Sequence, residues 1–327
     1  MLKKILKIIS ISLLVLIVAA FSAPYLFKSQ IVSLVKKEIN KRINAKVDFK
    51  EVDISFFRHF PKVAVSLDGL QIVGNGVFAA DTLLSANRID AALNVMSVIK
   101  GSDMTIYSIN VESPRIHAIV TKDSLTNWDI MKPDTAAITA TESKPYKMAL
   151  QQYAAHNGYI SYKDATAGIA TEITNLNHEG SGDFTSDLFT LKTTTNADAI
   201  TVSYGGIPYL SNAKVVIDAD IQVDKKTNTY SFNTDKILVN GFKITTKGSI
   251  KNMAEKGYGM DITFNAPSTD FKNILSLVPA MYKNDFDKIK TSGTALFGGF
   301  VKGTYNEKTI PAYHVDMEVK EGFFQYP

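Results

Sequence analysis

The side chains best suited to acid–base chemistry or metal binding near neutral pH are five histidines: His59, His117, His156, His178 and His314. They are scattered singly. No His-Glu-x-x-His pair occurs, and His178-Glu179 has no second ligand at helical spacing. The Gly-x-Ser-x-Gly turn of serine hydrolases is absent. So is the phosphate-cradling Walker loop, and Gly180-Ser181-Gly182 lacks the third glycine of a dinucleotide fingerprint. Asp218 and Asp220 alternate along one stretch and so share a face, but any strand offers such a pair. Cysteine is absent, which excludes disulfides, thiolate catalysis, thiolate-bound zinc and lipoprotein acylation, and leaves the redox compartment open. These residues lead to the expectation of no enzyme, no cofactor and no metal site.

The elements that would position any site are mostly strands. Val215, Ile217, Ala219, Ile221 and Val223 alternate with Val216, Asp218, Asp220 and Gln222. Met260, Ile262, Phe264 and Ala266 alternate with Asp261, Thr263 and Asn265, and Tyr313, Val315, Met317 and Val319 with His314, Asp316, Glu318 and Lys320. Val63, Val65 and Leu67 do the same. A two-residue period places apolar side chains on one face of a strand and polar ones on the other. Asp68-Gly69, Asn75-Gly76, Asn157-Gly158, Asp224 to Asn228 and Asn240-Gly241 read as turns between strands, which implies a long antiparallel meander.

Residues 30–44 read as an amphipathic helix, with Ile31, Leu34, Val35, Ile39 and Ile43 on one side and Lys36, Lys37, Lys41 and Arg42 on the other. It either caps one end of the sheet or lies on a membrane surface. Residues 268–290 read as a second helix, N-capped by Ser268 or Thr269, striped by Phe271, Ile274, Leu275 and Val278, and broken at Pro279. Residues 132–145, poor in apolar bulk, read as a mobile linker between a region at 28–131 and a continuing sheet at 146–327. Phe56, Phe57 and Phe60 form either a hydrophobic corner or a membrane-touching loop, and Trp128 packs on the β domain ahead of the linker. The final residues, Glu321 to Pro327, resemble the start of another β unit, so the expectation is a chain cut from something longer.

Charge is uneven. The first fifty residues carry ten Lys and Arg against Glu38 and Asp48, a net of +8, so the other 277 carry −4 in a chain whose net charge is +4. A nucleic-acid partner needs its basic stripe on the folded domain, and this one borders an apolar segment instead. Residues 8–27 are twenty without a charge, centred on Leu13, Leu14, Val15, Leu16, Ile17 and Val18, long enough as a helix to cross a bilayer. Lys3, Lys4 and Lys7 precede them, which keeps residues 1–7 cytoplasmic and sends the remainder outward. An uncleaved anchor and a signal peptide cut after Ala20-Phe21-Ser22 both satisfy this pattern.

The basic start and anchor are followed by Val47-Asp48-Phe49-Lys50-Glu51-Val52-Asp53-Ile54-Ser55, then by Phe60-Pro61 and Val63-Ala64-Val65-Ser66-Leu67-Asp68-Gly69-Leu70. This succession resembles the AsmA family of Gram-negative envelope proteins. Ile109 to Ile116 and the Asn127-Trp128-Asp129 turn resemble later family segments, and Phe271 to Pro279 with Ile289 to Gly293 resemble its Bacteroidota-type branch. None of these motifs is catalytic. The resemblance implies an inner-membrane protein, single-pass, with a periplasmic curved β-sheet forming a hydrophobic groove. It further implies a role in outer-membrane biogenesis, by moving phospholipid between membranes or, alternatively, as a scaffold that assembles outer-membrane proteins. On that reading Val215, Ile217, Ala219, Ile221, Val223, Met260, Ile262 and Phe264 contact lipid. As ordinary strand residues they serve equally as core.

Overall fold

The computed structural model describes residues 33, 36–37, 39–40, 43–59, 62–94, 106–132, 148–253, 257–270, 289–306 and 308–325. The fold is mainly β, with fifteen strands among the described residues joined in one sheet. In chain order these are β1 (Lys46–Asp48), β2 (Glu51–His59), β3 (Lys62–Val73), β4 (Thr82–Asn94), β5 (Ile106–Glu112) and β6 (Arg115–Val120). A second series follows: β7 (Met148–Asp164), β8 (Ile169–Ser181), β9 (Leu188–Tyr204), β10 (Ile207–Asp224), β11 (Thr229–Val239), β12 (Phe242–Met253), β13 (Gly257–Asp270), β14 (Lys290–Tyr305) and β15 (Ala312–Gln325). From β7 to β15 each strand pairs antiparallel with the next.

The meander expected from the turns holds on either side of one junction and fails at it, so the sheet is mixed. β5 and β6 are two halves of one bent strand, both antiparallel to β4 and both parallel to β7. The break falls at Ser113-Pro114, where Ser113 has φ 50° and proline has no N–H to give. A parallel pair needs a long crossover, which residues 121–147 supply.

Two of the turn signals also mark something else. Asp68-Gly69 lies inside β3 and Asn157-Gly158 inside β7. Gly69 (φ 64°) and Asn157 (φ 51°) adopt the left-handed backbone that glycine and asparagine tolerate, and it serves a strand irregularity as well as a hairpin. At Gly69 the consequence is plain: Leu67 and Leu70, three residues apart, reach the same apolar cluster. Asn75-Gly76, Asp224 to Asn228 and Asn240-Gly241 do separate strands.

The expected helix at 268–290 is corrected at both ends. Thr269 and Asp270 pair with Ala295 and Thr294 as part of β13, and Lys290 already belongs to β14. Residues 271–288 lie outside the described residues. In the 30–44 segment, residues 33, 36, 37, 39 and 40 are helical, and Ile43 has left the helix to bridge Met131. The Asn40 amide clamps this helix to β1, donating to Lys36 O (2.8 Å) and Val47 O (2.9 Å) and accepting from Val47 N–H (2.8 Å). The helix therefore stands at one end of the sheet. Among the described residues no helix is long and apolar enough to cross a membrane. The stretch holding Leu13 to Val18, all of the 132–145 linker but Lys132, and the side chains of Phe56, Phe57 and Phe60 lie outside them.

Val47, Phe49, Val52, Leu70 and Ala86 form the buried cluster, with Ile43, Ile54, Val65, Leu67, Ile72, Leu84, Ile89 and Val111 around it. A second set of buried residues, Ala197, Ala213, Val215, Phe242, Ala266 and Ala295, lies on β9–β14. Among the described residues the main contacts between elements run between strands paired in the sheet.

Candidate functional site

Directly paired residues in an antiparallel ladder project to the same face. Val223 pairs with Phe189 on one side and Tyr230 on the other, Tyr230 with Ile250, and Ile250 with Met260. One row along, Leu191, Ile221, Phe232, Gly248, Ile262, Val301 and Tyr313 follow each other across seven strands. The structure thus places all eight sequence-selected residues, Val215, Ile217, Ala219, Ile221, Val223, Met260, Ile262 and Phe264, on a single face. That face extends to Met317 and Val319 on β15. Val215 and Val223 are buried, while Ile217, Ala219, Ile221, Met260, Ile262 and Phe264 are half-buried.

Sequence reasoning missed Phe189, Leu191, Phe232 and Ile250, which complete these rows. Their signal was present as apolar pairs at i and i+2, but neighbouring threonines masked it. Those threonines form the next row, Thr193, Ala219, Thr234 and Thr246, with Thr234 at a bulge opposite Ala219. Each hydroxyl is committed to the backbone: Thr193 to Ala219 O (3.2 Å), Thr246 to Thr263 O (3.1 Å) and Thr234 to Asp218 O. A threonine whose hydroxyl is satisfied this way behaves as a small side chain on an apolar face. The result is a row of small side chains across β9–β12 beside the larger apolar rows.

Aromatic rings lie over glycines where this row ends. A Cβ on Gly180 would stand 2.3 Å from Cζ of Tyr153, and one on Gly299 2.7 Å from Cζ of Phe264. At the Tyr153 end the face turns polar. The Tyr153 hydroxyl is 3.1 Å from Nε2 of His178, whose Nδ1 is 2.7 Å from Oγ1 of Thr195. Phe184 and Phe189 pack beside them at 4.9 Å between centroids, and Lys225 Nζ sits 5.6 Å from the Phe189 ring. Burial pushes the His178 imidazole below its ordinary pKa and the Tyr153 phenol above its own, favouring the neutral form of each.

The opposite face is mostly polar, with Val216, Leu238 and Phe300 among its apolar residues. Arg88 clasps both carboxylate oxygens of Asp90 at 2.9 Å, donates to Ser66 Oγ at 2.8 Å and reaches Asp68 at 3.5 Å. Further along, a hollow of about 870 Å³ is lined by six consecutive strands, β5 and β7–β11, so the sheet curls there. Its walls include Asn110, Glu179, Lys192, Asp218 and Asp220. The two aspartates share this face as their spacing required, and Asp218 pairs with Lys236 at 3.4 Å.

The histidines stay apart. His117 lies against Tyr159, His156 lines the hollow, His178 is on the apolar face, and His314 stacks on Phe300 and bonds Asp316 at 2.8 Å. The His59 side chain lies outside the described residues. Among the described residues no group of three or more His, Asp or Glu is placed to hold a metal. Trp128 is part-exposed, its ring 6.2 Å from that of Tyr162.

A comparison with curated proteins finds no match. A comparison with protein-family models matches residues 1–277 to the model described as the AsmA family.

Proposed function

The chain belongs to the AsmA family, and on that premise we propose that it handles phospholipid in outer-membrane biogenesis, holding acyl chains against its apolar sheet face. The observation that carries this reading is the continuity of that face from Phe189 on β9 to Val319 on β15, with no second layer over it among the described residues. An apolar sheet face needs a cover, and an acyl chain supplies one. The threonine row adds support, since each of its hydroxyls already spends its proton on a backbone carbonyl. The role proposed is binding and transfer, without catalysis. The proposed setting is the inner membrane, crossed once by residues 8–27, with the sheet in the periplasm. The apolar run behind Lys3, Lys4 and Lys7 supports it.

Photo-crosslinking side chains placed at Ile221 and Gln222 of the full chain, in its own membranes, compare the two faces. Mass spectrometry should find phospholipid adducts at Ile221 and few at Gln222. A folded protein whose Ile221 position captures no lipid would sink the proposal. The polar hollow favours a second reading, a scaffold for outer-membrane proteins. Protein adducts at Gln222 without lipid at Ile221 would select it.

A further inference from the structure

We propose that the loops around the chain's entry into the sheet form a membrane-docking cap, whose apolar side chains sit in the head-group region of the bilayer that residues 8–27 cross. The inference rests on the membrane setting given above and not on lipid binding at the sheet face.

Three segments meet where the chain enters the sheet. The Asn44 N–H donates to Ile130 O at 2.5 Å, and the Asn44 side-chain oxygen accepts from the Asn75 amide at 3.4 Å. Lys132 Nζ donates to Asn40 O at 3.2 Å, and Ile43 bridges Met131. These contacts join the helix, the β3–β4 connection and residues 121–132 into one surface. It stands at the end of the strands where β3 and β6 finish.

Single exposed apolar residues are ordinary, but here four of them gather on the joined segments. Val77 and Met131 are 72% and 70% exposed, and Leu125 and Trp128 also face solvent. The loop bearing three of them is tied down from beneath. Asn127 is buried, donating to His117 O at 2.7 Å and accepting from the Ile119 N–H at 2.9 Å, and the Thr121 N–H reaches Leu125 O at 2.9 Å. A loop pinned in this way cannot fold back to bury its own apolar side chains, so they stay presented outward. Tryptophan suits a head-group layer, where its ring is apolar and its N–H finds a polar partner.

Chain length and charge select the occupant. Six residues separate Phe27, the end of the apolar run, from the helical Ser33, and six residues reach at most about 20 Å. The cap is therefore tethered close to the membrane that the run crosses. The linking stretch 28–50 carries seven Lys and Arg against Glu38 and Asp48, a balance that anionic head groups favour.

Trp128 is the chain's one tryptophan, so its fluorescence reports on the cap directly. The full chain is reconstituted into vesicles of phosphatidylcholine and phosphatidylglycerol. Lipid brominated near the head-group end of its acyl chains should quench Trp128 at least twofold relative to unbrominated lipid. Trp128→Phe with Ile310→Trp moves the probe to the turn between β14 and β15, at the opposite end of the strands, and should lose the quenching. Leu125→Asp with Met131→Asp should remove most of the quenching of Trp128, with the same β content by circular dichroism. Quenching unchanged in that variant would overturn the proposal. So would a Trp128 untouched by brominated lipid in a chain that resists carbonate extraction. If acrylamide quenches it there, the cap faces water; if acrylamide does not, another part of the chain covers the cap. A chain that carbonate strips from the vesicles would remove the membrane setting and the docked cap together. Quenching of Trp128 without lipid capture at Ile221 would keep the cap and drop the lipid reading.

Discussion

At the β1–β5 end of the sheet, Val47, Phe49, Val52, Leu70 and Ala86 are buried against one another, whereas on β15 Tyr313, Val315, Met317 and Val319 alternate just as regularly and stand exposed. The difference lies in what stands above. At the first end Ile43 packs on the cluster, Lys36 Nζ lies 4.7 Å from the centre of the Phe49 ring, and Asn40 holds the helix to β1. At the other end no element covers the face among the described residues. Alternation therefore tells which side of a strand is apolar, and a separate element decides whether that side becomes core. The covered end gives the sheet a fixed base, and the exposed apolar positions of β15 are where a ligand could add the missing layer.

The largest expected effect tests the covered end. Phe49 is 3% exposed, and Phe49→Ala removes a ring from a closed cluster. Unfolding of the full chain in urea should show a loss of about 3–5 kcal/mol, the range for such truncations in a packed core. A loss under about 1 kcal/mol would mean that the cluster collapses freely and that the contrast between the ends is illusory.

Next comes the clamp. Asn40→Ala deletes the two hydrogen bonds that tie the helix to Val47 and a third to Lys36 O within the helix, and it leaves the Val47 backbone groups without those partners. The expected cost is about 1–3 kcal/mol, from the penalty for unsatisfied part-buried groups. Hydrogen exchange should rise at β1 and leave β12 and β13 unchanged. Equal acceleration in both places would show that the clamp stabilises the whole sheet rather than one end.

How much of this was legible depended on local regularity. Val215 to Val223 and Met260 to Phe264 were read correctly because neither run is interrupted on the face that matters. β9 was not, because Thr193 and Thr195 look polar in sequence, and only the partner strand shows where their hydroxyls go. Asp68-Gly69 and Asn157-Gly158 misled because positive φ is all that such dipeptides promise, and hairpins and bulges both use it. Ser268 and Thr269 have the chemistry of a helix cap, but Thr269 pairs with Ala295, a partner 26 residues away. The parallel meeting of β5 and β6 with β7 leaves no local trace at all. Pairing order across residues 121–147 is decided by the assembled sheet. The polar hollow was equally hidden, since it is assembled from single residues on six strands.

A smaller effect concerns His178, where the apolar face begins. Burial lowers its pKa, so the folded protein holds the imidazole neutral while the unfolded chain takes up a proton below about 6.5. The unfolded state then binds more protons, and stability falls as pH drops through that value toward the folded pKa. Melting temperature should decline between pH 7.5 and 5.5, and His178→Asn should flatten the decline. Asp164 moves stability in the same direction but in another window, because hydrogen bonds from the Thr166 hydroxyl and the Ala167 N–H hold it at about 2. A slope unchanged in His178→Asn would assign the near-neutral dependence to other groups.

The smallest expected effect is the most telling for the open end. Val315 and Met317 are 53% and 58% exposed, so Val315→Ser and Met317→Ser remove little buried surface from the single chain. Each should change the stability of the monomer by no more than about 0.5 kcal/mol, as exposed substitutions generally do. A loss above about 2 kcal/mol in the monomer itself would show that a layer already covers β15, and the sheet would then be closed at both ends. A small change in both variants keeps the distinction between an end that is core by itself and one whose apolar side chains stand exposed.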